Sequence, residues 1–511
     1  MDRQADSNNK RIVKNTLLLY FRTLFILFIK LYSSRLILEY LGVTDYGIYS
    51  LVASFIAMFS IFNSSLTSTI QRFLTFSLGL NDMQKVRNIF SASINILATI
   101  CLIVIVFGET IGLFYLNTKL QIPLERLVAA NWVYQFSLFT FVLGVITVPY
   151  NAILTAYENF KIFAYFDILN TVLGLAVIFL IPIIPMDRLV FYGLGLALVA
   201  VIIRFIYSCY CVKHYPTAHY YLVKDKYIYK ELFSFSAWSF LGNTGTIISE
   251  GGLNVVMNIF FGVTINSAKG IGTQVSNAVG GFIRSFITAM NPQITKNYAE
   301  KNMERMQMLV FNSAKFSFLL LGVLVIPVII DTPFLLNLWL VKTPDYTILF
   351  TRLILIQATI HVLFNSTNIS VNASGKIKEY QIGNMAIQFA SIIFVYIAFK
   401  LGLNAYSGLV IQCVFTTFLL FFDLYIQEKV VGFSINAFIK KVILPCALVF
   451  SLSIGLSYFA KFLIMSSLNI LWLSLITSLM ICFIVTYFIG LTRNQKKIII
   501  STILKKINKT L

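Results

Sequence analysis

The side chains best able to do chemistry in this sequence sit where charge is costly. Asn243, Thr246, Glu250, Asn254 and Asn258 follow one another at spacings of 3, 4, 4 and 4. Gln274, Asn277, Gly281, Arg284, Thr288 and Asn291 follow at 3, 4, 3, 4 and 3. Each series traces one face of a helix, and each runs through apolar sequence. Asn15, Arg22, Lys30 and Ser33 interrupt an apolar stretch near the N-terminus in the same way, followed by Asn63, Thr67, Gln71 and Arg72. A charge at mid-bilayer costs roughly 2.5–3.5 kcal/mol on insertion scales, so such groups face a partner or water. Taken singly, the amides and hydroxyls read as hydrogen-bonded glue between helices. The charges, placed alike near the start of each half of the chain, read as the lining of a hydrated central cavity. Arg22, Lys30 and Arg284 against Glu250 make that interior net positive. It would draw anions, and the planar fork of arginine suits phosphate oxygens.

The expected binding set is therefore Arg22, Lys30, Asn243, Asn254, Gln274, Asn277 and Arg284. Glu250 is the ion-coupling candidate, and a salt bridge to Arg22 or Arg284 would explain it equally well. Asp167, His361 and Asp423 are further possible couplers, although each alone is more often a satisfied core polar group. Arg35 and Arg72 are expected to snorkel to the membrane interfaces. Arg204 and Arg352 read equally as cavity residues or as ion-paired structure.

These residues must be positioned by helices in a bilayer. Of 511 residues, 58% are hydrophobic and only 12% charged, with a mean hydropathy of +0.83. That composition excludes a soluble enzyme and a disordered chain. Fourteen stretches have the roughly 20 mostly apolar residues that a span needs. They begin with 14–38 and 47–70, include 232–259 and 268–291, and end with 439–460 and 468–491; by hydropathy 268–291 is the weakest. The polar residues 1–11 lead into a stretch broken by Arg22 and Lys30, which is not the pattern of a cleavable signal. The six cysteines lie in apolar stretches without CxxC or Cys/His spacing, and read as small core residues.

The net charge of +20 is explained by placement. With the N-terminus inside, the cytoplasmic segments hold 27 lysines and arginines and the opposite side 8, among them Lys119, Lys269, Lys342 and Lys461. This bias sets both termini in the cytoplasm and removes nucleic acid as a partner. The loops are short, and no G-x-x-x-x-G-K-[ST] occurs.

The sequence also matches itself weakly. Leu41-Gly42-Val43-Thr44 falls on Phe261-Gly262-Val263-Thr264 and Met83-Gln84-Lys85 on Met303-Glu304-Arg305, an offset of 220. Asn151, Ala156 and Lys161 meet Asn368, Ala373 and Lys378 at 217. The expected fold is an all-α polytopic membrane protein of about fourteen transmembrane helices, with two pseudo-symmetric six-helix lobes plus two C-terminal helices. The expected divisions are 1–212, a cytoplasmic linker 213–231, 232–428, and 429–511 with a basic tail. Two repeated lobes with a site between them is a transporter design.

Several runs resemble the Wzx-type polysaccharide flippases of the multidrug/oligosaccharidyl-lipid/polysaccharide (MOP) exporter superfamily, particularly Bacteroidetes members. They are K-N-T-L-L-L-Y-F-R from Lys14, S-R-L-I-L-E-Y-L-G-V-x-D-Y-G-I-Y from Ser34, A-N-W-V-Y-Q-F-S from Ala130, V-P-Y-N-A from Val148, N-P-Q-I from Asn291 and G-K-I-K-x-Y-Q-I from Gly375. The likeness runs from about residue 10 to residue 440. It implies the MATE-like two-lobed fold and an undecaprenyl-pyrophosphate-linked oligosaccharide as substrate. That substrate would be turned from the cytoplasmic to the periplasmic leaflet of the bacterial inner membrane for O-antigen, capsule or exopolysaccharide synthesis. It further implies no cofactor beyond an H⁺ or Na⁺ gradient, and a polysaccharide polymerase and chain-length regulator as partners. Arg22 and Arg284 match the cavity cations of related lipid-carrier flippases by position. The rivals are a MATE-like drug or cation antiporter, a membrane polysaccharide polymerase or ligase, and a scaffold for glycan assembly. A net-positive stripe disfavours the first. Short outer loops with scattered carboxylates (Asp45, Glu125, Asp187, Asp331, Asp345) disfavour the second.

Overall fold

The computed structural model describes residues 2–57, 60–118, 122–340, 344–467, 471–493 and 495–496. Lys119, Lys342 and the basic tail with Lys497, Lys505, Lys506 and Lys509 lie outside the described residues, as do the side chains of Arg3, Lys10, Arg11, Lys14 and Asn63.

The chain is helical almost throughout, with no strand among the described residues. In order the helices are α1 (Asp2–Ala57), α2 (Ser60–Gly79), α3 (Met83–Phe107), α4 (Leu113–Thr118), α5 (Leu127–Ala156), α6 (Phe160–Leu180), α7 (Arg188–His214), α8 (Lys226–Phe261), α9 (Val263–Ala299), α10 (Met303–Ile330), α11 (Thr332–Trp339), α12 (Thr347–Ser374), α13 (Lys378–Lys400), α14 (Tyr406–Val431), α15 (Ile435–Phe438), α16 (Leu444–Ser467) and α17 (Leu471–Val485). Among the described residues, eleven helical stretches are long and apolar enough to cross a membrane, so the protein is a multi-pass membrane protein. Of the expected spans, 232–259 and 268–291 are not among these eleven, and 47–70 contains residues 58 and 59, which lie outside the described residues. All three carry the polar stripes. The chain is helical in α8 and α9 nonetheless, because a helix satisfies its own backbone whatever its side chains.

Two compact units result: residues 14–240, and residues 241–511 with 1–13. In the first, α5 packs on α7 and on α3, around Val52, Val104, Ala130, Val133, Tyr134 and Leu189. A π-helical turn at Gly108–Gly112 widens the helix that continues α3, and the Gly108 carbonyl there accepts a 2.8 Å bond from the buried Tyr134 hydroxyl. In the second unit α12 is central, packed against α9, α10 and α14. Gly272 lets α9 approach α12 closely. A Cβ there would stand 2.9 Å from Ile354 Cδ1 and 3.2 Å from the Thr351 backbone.

The repeat is written into the backbone. Gly42 (φ 76°, ψ 171°) kinks α1, and Gly262 (φ 78°, ψ −174°) separates α8 from α9 in the same conformation, which only glycine adopts readily. Asn81 (φ 56°) and Lys301 (φ 57°) are both left-handed, again 220 apart. The next residues, Asp82 and Asn302, cap α3 and α10 through the amides of Lys85 and Arg305 at 2.9 and 3.2 Å. At the second offset, 217, Glu158 (φ 60°) matches Gly375 (φ 77°).

The C-terminal pair is tied to the second unit by charge. Asp331, fully buried, accepts from Lys461 Nζ of α16 at 2.7 Å and from Ser474 Oγ of α17 at 2.9 and 3.1 Å.

Candidate functional site

The second unit encloses a cavity of about 660 Å³ whose walls come from α8, α9, α10, α12 and α14. Glu250 and Asn254 of α8 face it, one helical turn apart. Helix α9 contributes Lys269, Thr273, Asn277, Arg284 and Thr288, at spacings of 4, 4, 7 and 4 that keep them on one face. Gln357, His361 and Asn365 of α12 repeat every four residues, and Gln412 of α14 completes the polar lining. Leu253, Ile283, Ile287, Ile354 and Val362 fill the intervals.

Lys269 is the most buried of the charges, 8% exposed. Its ammonium donates to Asn254 Oδ1 at 2.8 Å and to the Glu250 carbonyl at 3.1 Å, with the Glu250 carboxylate adding attraction. Such compensation is required, since an unpaired buried ion costs several kcal/mol. Arg284 is held differently. One Nη donates to the Asn277 carbonyl at 3.2 Å, and the side chain is otherwise exposed to the cavity. Beside it, Gln357 donates to Gln412 Oε1 at 3.3 Å and to Thr416 Oγ1 at 3.1 Å, and Gln412 donates to Ser249 Oγ at 3.1 Å. This chain of amides joins α12, α14 and α8, as expected of polar glue. With two cations and one carboxylate, the cavity carries one net positive charge.

Of the residues expected to bind, the cavity gathers Asn254, Asn277 and Arg284, with Glu250 beside them. Gln274 is not on its wall: it is one residue, about 100°, around α9 from Thr273. Asn243, two turns before Glu250, is not on the wall either. Arg22 and Lys30 belong to the first unit. There Arg22 Nη2 pairs with Asp167 Oδ2 of α6 at 2.7 Å and its guanidinium lies 5.0 Å from the Phe163 ring, so its ion-pair partner is Asp167 and not Glu250. Lys30 adds positive potential at the same carboxylate.

The residues left between two readings resolve toward structure. Arg352 Nε donates to the Ile329 carbonyl at 2.9 Å, and Arg204 lies over the Tyr150 ring at 4.3 Å. Arg72 stacks over Phe73, Phe76 and Phe235 at 4.3, 4.9 and 5.4 Å. Lys269 corrects an expectation: assigned to the outer loops, it is instead a cavity residue within α9. Following spacings of four back from Asn277, through Thr273 rather than Gln274, would have found it. Asp45 and Asp187 also prove to be neighbours. Arg126 donates through Nε and Nη2 to Asp45 at 2.8 and 2.6 Å and through Nη1 to Asp187 at 2.6 Å, joining α1, the turn before α5 and the start of α7.

No family model matches the chain, and no curated protein sequence does. Solved structures do. A MATE transporter in the straight conformation superposes with a TM-score of 0.72 at 14% identity, over 85% of this chain and 97% of its own. A MATE transporter in the bent conformation gives 0.69 at 16% identity, over 83% and 96%. A MOP superfamily transporter from Pyrococcus furiosus Vc1 gives 0.68 at 13% identity, over 82% and 96%. The fold is that of the MATE transporters of the MOP superfamily.

Proposed function

We propose that this protein is a flippase that moves undecaprenyl-pyrophosphate-linked oligosaccharides from the cytoplasmic to the periplasmic leaflet of the inner membrane by alternating access. The carrying observation is the cavity of the second unit, net positive and lined by amides and hydroxyls. A pyrophosphate needs positive charge, and Arg284 offers the unused donors of a guanidinium. A sugar chain needs hydrogen-bonding walls, which Asn254, Asn277, Gln357 and Gln412 supply. A polyprenyl tail needs only the surrounding lipid. Arg22 and Lys30 provide positive charge in the first unit.

The MATE-like fold is equally that of a drug or cation antiporter, and Glu250 on the cavity wall is the feature that favours this second reading. Charge balance favours the first. The Pyrococcus furiosus transporter is described as having a binding pocket of reverse polarity that suggests a different function. On the proposed reading both termini are cytoplasmic, residues 213–231 connect the lobes on that side, and the polymerase and chain-length regulator of glycan assembly are the partners.

The test is movement of a fluorescent undecaprenyl-pyrophosphate oligosaccharide in proteoliposomes, with and without an imposed H⁺ or Na⁺ gradient. Protein-dependent movement that falls in Arg284→Gln is the expected result. No movement, in vesicles that still extrude a cationic dye, assigns the protein to the antiporters.

A further inference from the structure

Asp423 is a fully buried carboxyl with no cation paired to it among the described residues. Asp167 is paired with Arg22, and Asp331 with Lys461. Asp423, on the cytoplasmic half of α14 in the proposed topology, is 0% exposed and lies against α12. Its Oδ2 accepts from the Thr367 hydroxyl, and its Oδ1 has no partner. The surroundings are polar but uncharged. Gln427 Nε2 donates to the Thr367 carbonyl, and Ser370 Oγ donates to Gln427 Oε1 at 2.6 Å. From α13 the titratable group facing Asp423 is the buried Tyr380 phenol, whose oxygen accepts from Asn368 at 3.0 Å. Four other ionisable groups on the packed helices are engaged elsewhere. Arg352 binds the Ile329 carbonyl, His361 lines the cavity, and Glu379 of α13 and Lys429 of α14 pair with each other at an exposed site.

An ionised carboxylate in that setting would be a buried anion with no cation, held only by the Thr367 hydroxyl and the Gln427 side chain, a costly arrangement. A neutral carboxylic acid fits the same partners at far smaller cost. We propose that Asp423 is a proton-binding site, holding one proton as a neutral acid in this conformation and releasing it to water only when the seam between α12 and α14 opens. The step is simple ionisation, –COOH to –COO⁻ and a solvated proton, and it needs no co-reactant. A proton gradient can act on a conformational equilibrium only through a group whose proton affinity differs between conformations. A carboxyl sealed from water in one of them meets that condition. The site is separate from Glu250, and the inference does not depend on the identity of the cargo.

Infrared spectroscopy of the full chain in lipid tests this directly. Wild type at neutral pH should show the carbonyl stretch of a protonated carboxylic acid, lost in Asp423→Asn and lost in wild type as the pH is raised. Thr367→Val removes the hydroxyl that stabilises the anion, and should move the loss of that band to higher pH. A neutral-pH spectrum in which Asp423→Asn removes only carboxylate bands overturns the proposal. So does a Thr367→Val protein whose midpoint is unchanged, and this second variant carries the test if the first fails to fold.

Discussion

Arg22 and Arg284 differ in what their removal would leave behind. Taking Arg22 away strands the Asp167 carboxylate, whose side chain is only 28% exposed. Breaking a partly buried pair in this way should destabilise by on the order of 1–3 kcal/mol. Arg22→Met combined with Asp167→Leu should recover most of that loss, read as the thermal midpoint of the purified protein. Arg284 leaves no carboxylate behind, since it donates to the Asn277 carbonyl. Arg284→Gln should therefore change stability by less than about 0.5 kcal/mol. It should nevertheless slow flipping roughly tenfold or more, the worth of one hydrogen bond to a charged group. Lys269 lies between these cases. Lys269→Met deprives both Asn254 Oδ1 and the Glu250 carbonyl of a donor, so it should lower both stability and transport, and only Arg284 separates the two cleanly.

Helix boundaries carry the repeat more clearly than helix interiors do. Interiors in lipid accept almost any apolar residue, so the two halves drift apart in sequence while the turns cannot. At Gly42 and Gly262 a Cβ would meet nothing within 4 Å, so substitution costs backbone strain alone. In that region of φ/ψ the strain is of order 1–3 kcal/mol. Gly42→Ala and Gly262→Ala should lower the thermal midpoint by similar amounts, and unequal losses would show that only one kink is fixed by its surroundings. The Arg126 clamp acts at the same scale by holding α1, the turn before α5 and the start of α7 at once. Burial pushes the Asp187 carboxyl up, but the Arg126 bond and the amides of Val190 and Leu189 outweigh it and hold the group below its ordinary value. A carboxylate depressed in the folded state contributes stability above its unfolded pKa, and that contribution is lost as pH falls through the folded value. Acidification below about pH 4 should therefore lower the thermal midpoint, and Arg126→Gln should remove that component of the pH dependence.

The sequence made the whole molecule legible through quantities that accumulate along the chain: hydropathy, the Lys/Arg bias and an offset that recurs. Partners across helices were not legible in the same way. Nothing in the spacing of Arg22 selects Asp167, 145 residues away, over Glu250, and Asp45, Arg126 and Asp187 meet only because three segments distant in sequence converge. Lys269 was missed because it is the second residue of the expected span 268–291 and was counted with the outer side, whereas α9 begins at Val263. The cavity's sign, by contrast, follows from very few residues, and that makes it open to inversion. Lys269, Arg284 and Glu250 sum to one positive charge, so Arg284→Glu leaves one negative charge in the same walls. Two unit charges about 4 Å apart interact by about 4 kcal/mol at an effective dielectric of 20. A sign change at one position thus outweighs the remaining polar contacts to a phosphate. Arg284→Glu should abolish movement of the pyrophosphate-linked probe and raise uptake of a cationic dye, both measured in the same proteoliposomes. If cargo is chosen by cavity charge, the two rates must move in opposite directions. If both fall together, Arg284 serves the conformational cycle, and the basis for an anionic substrate disappears with it.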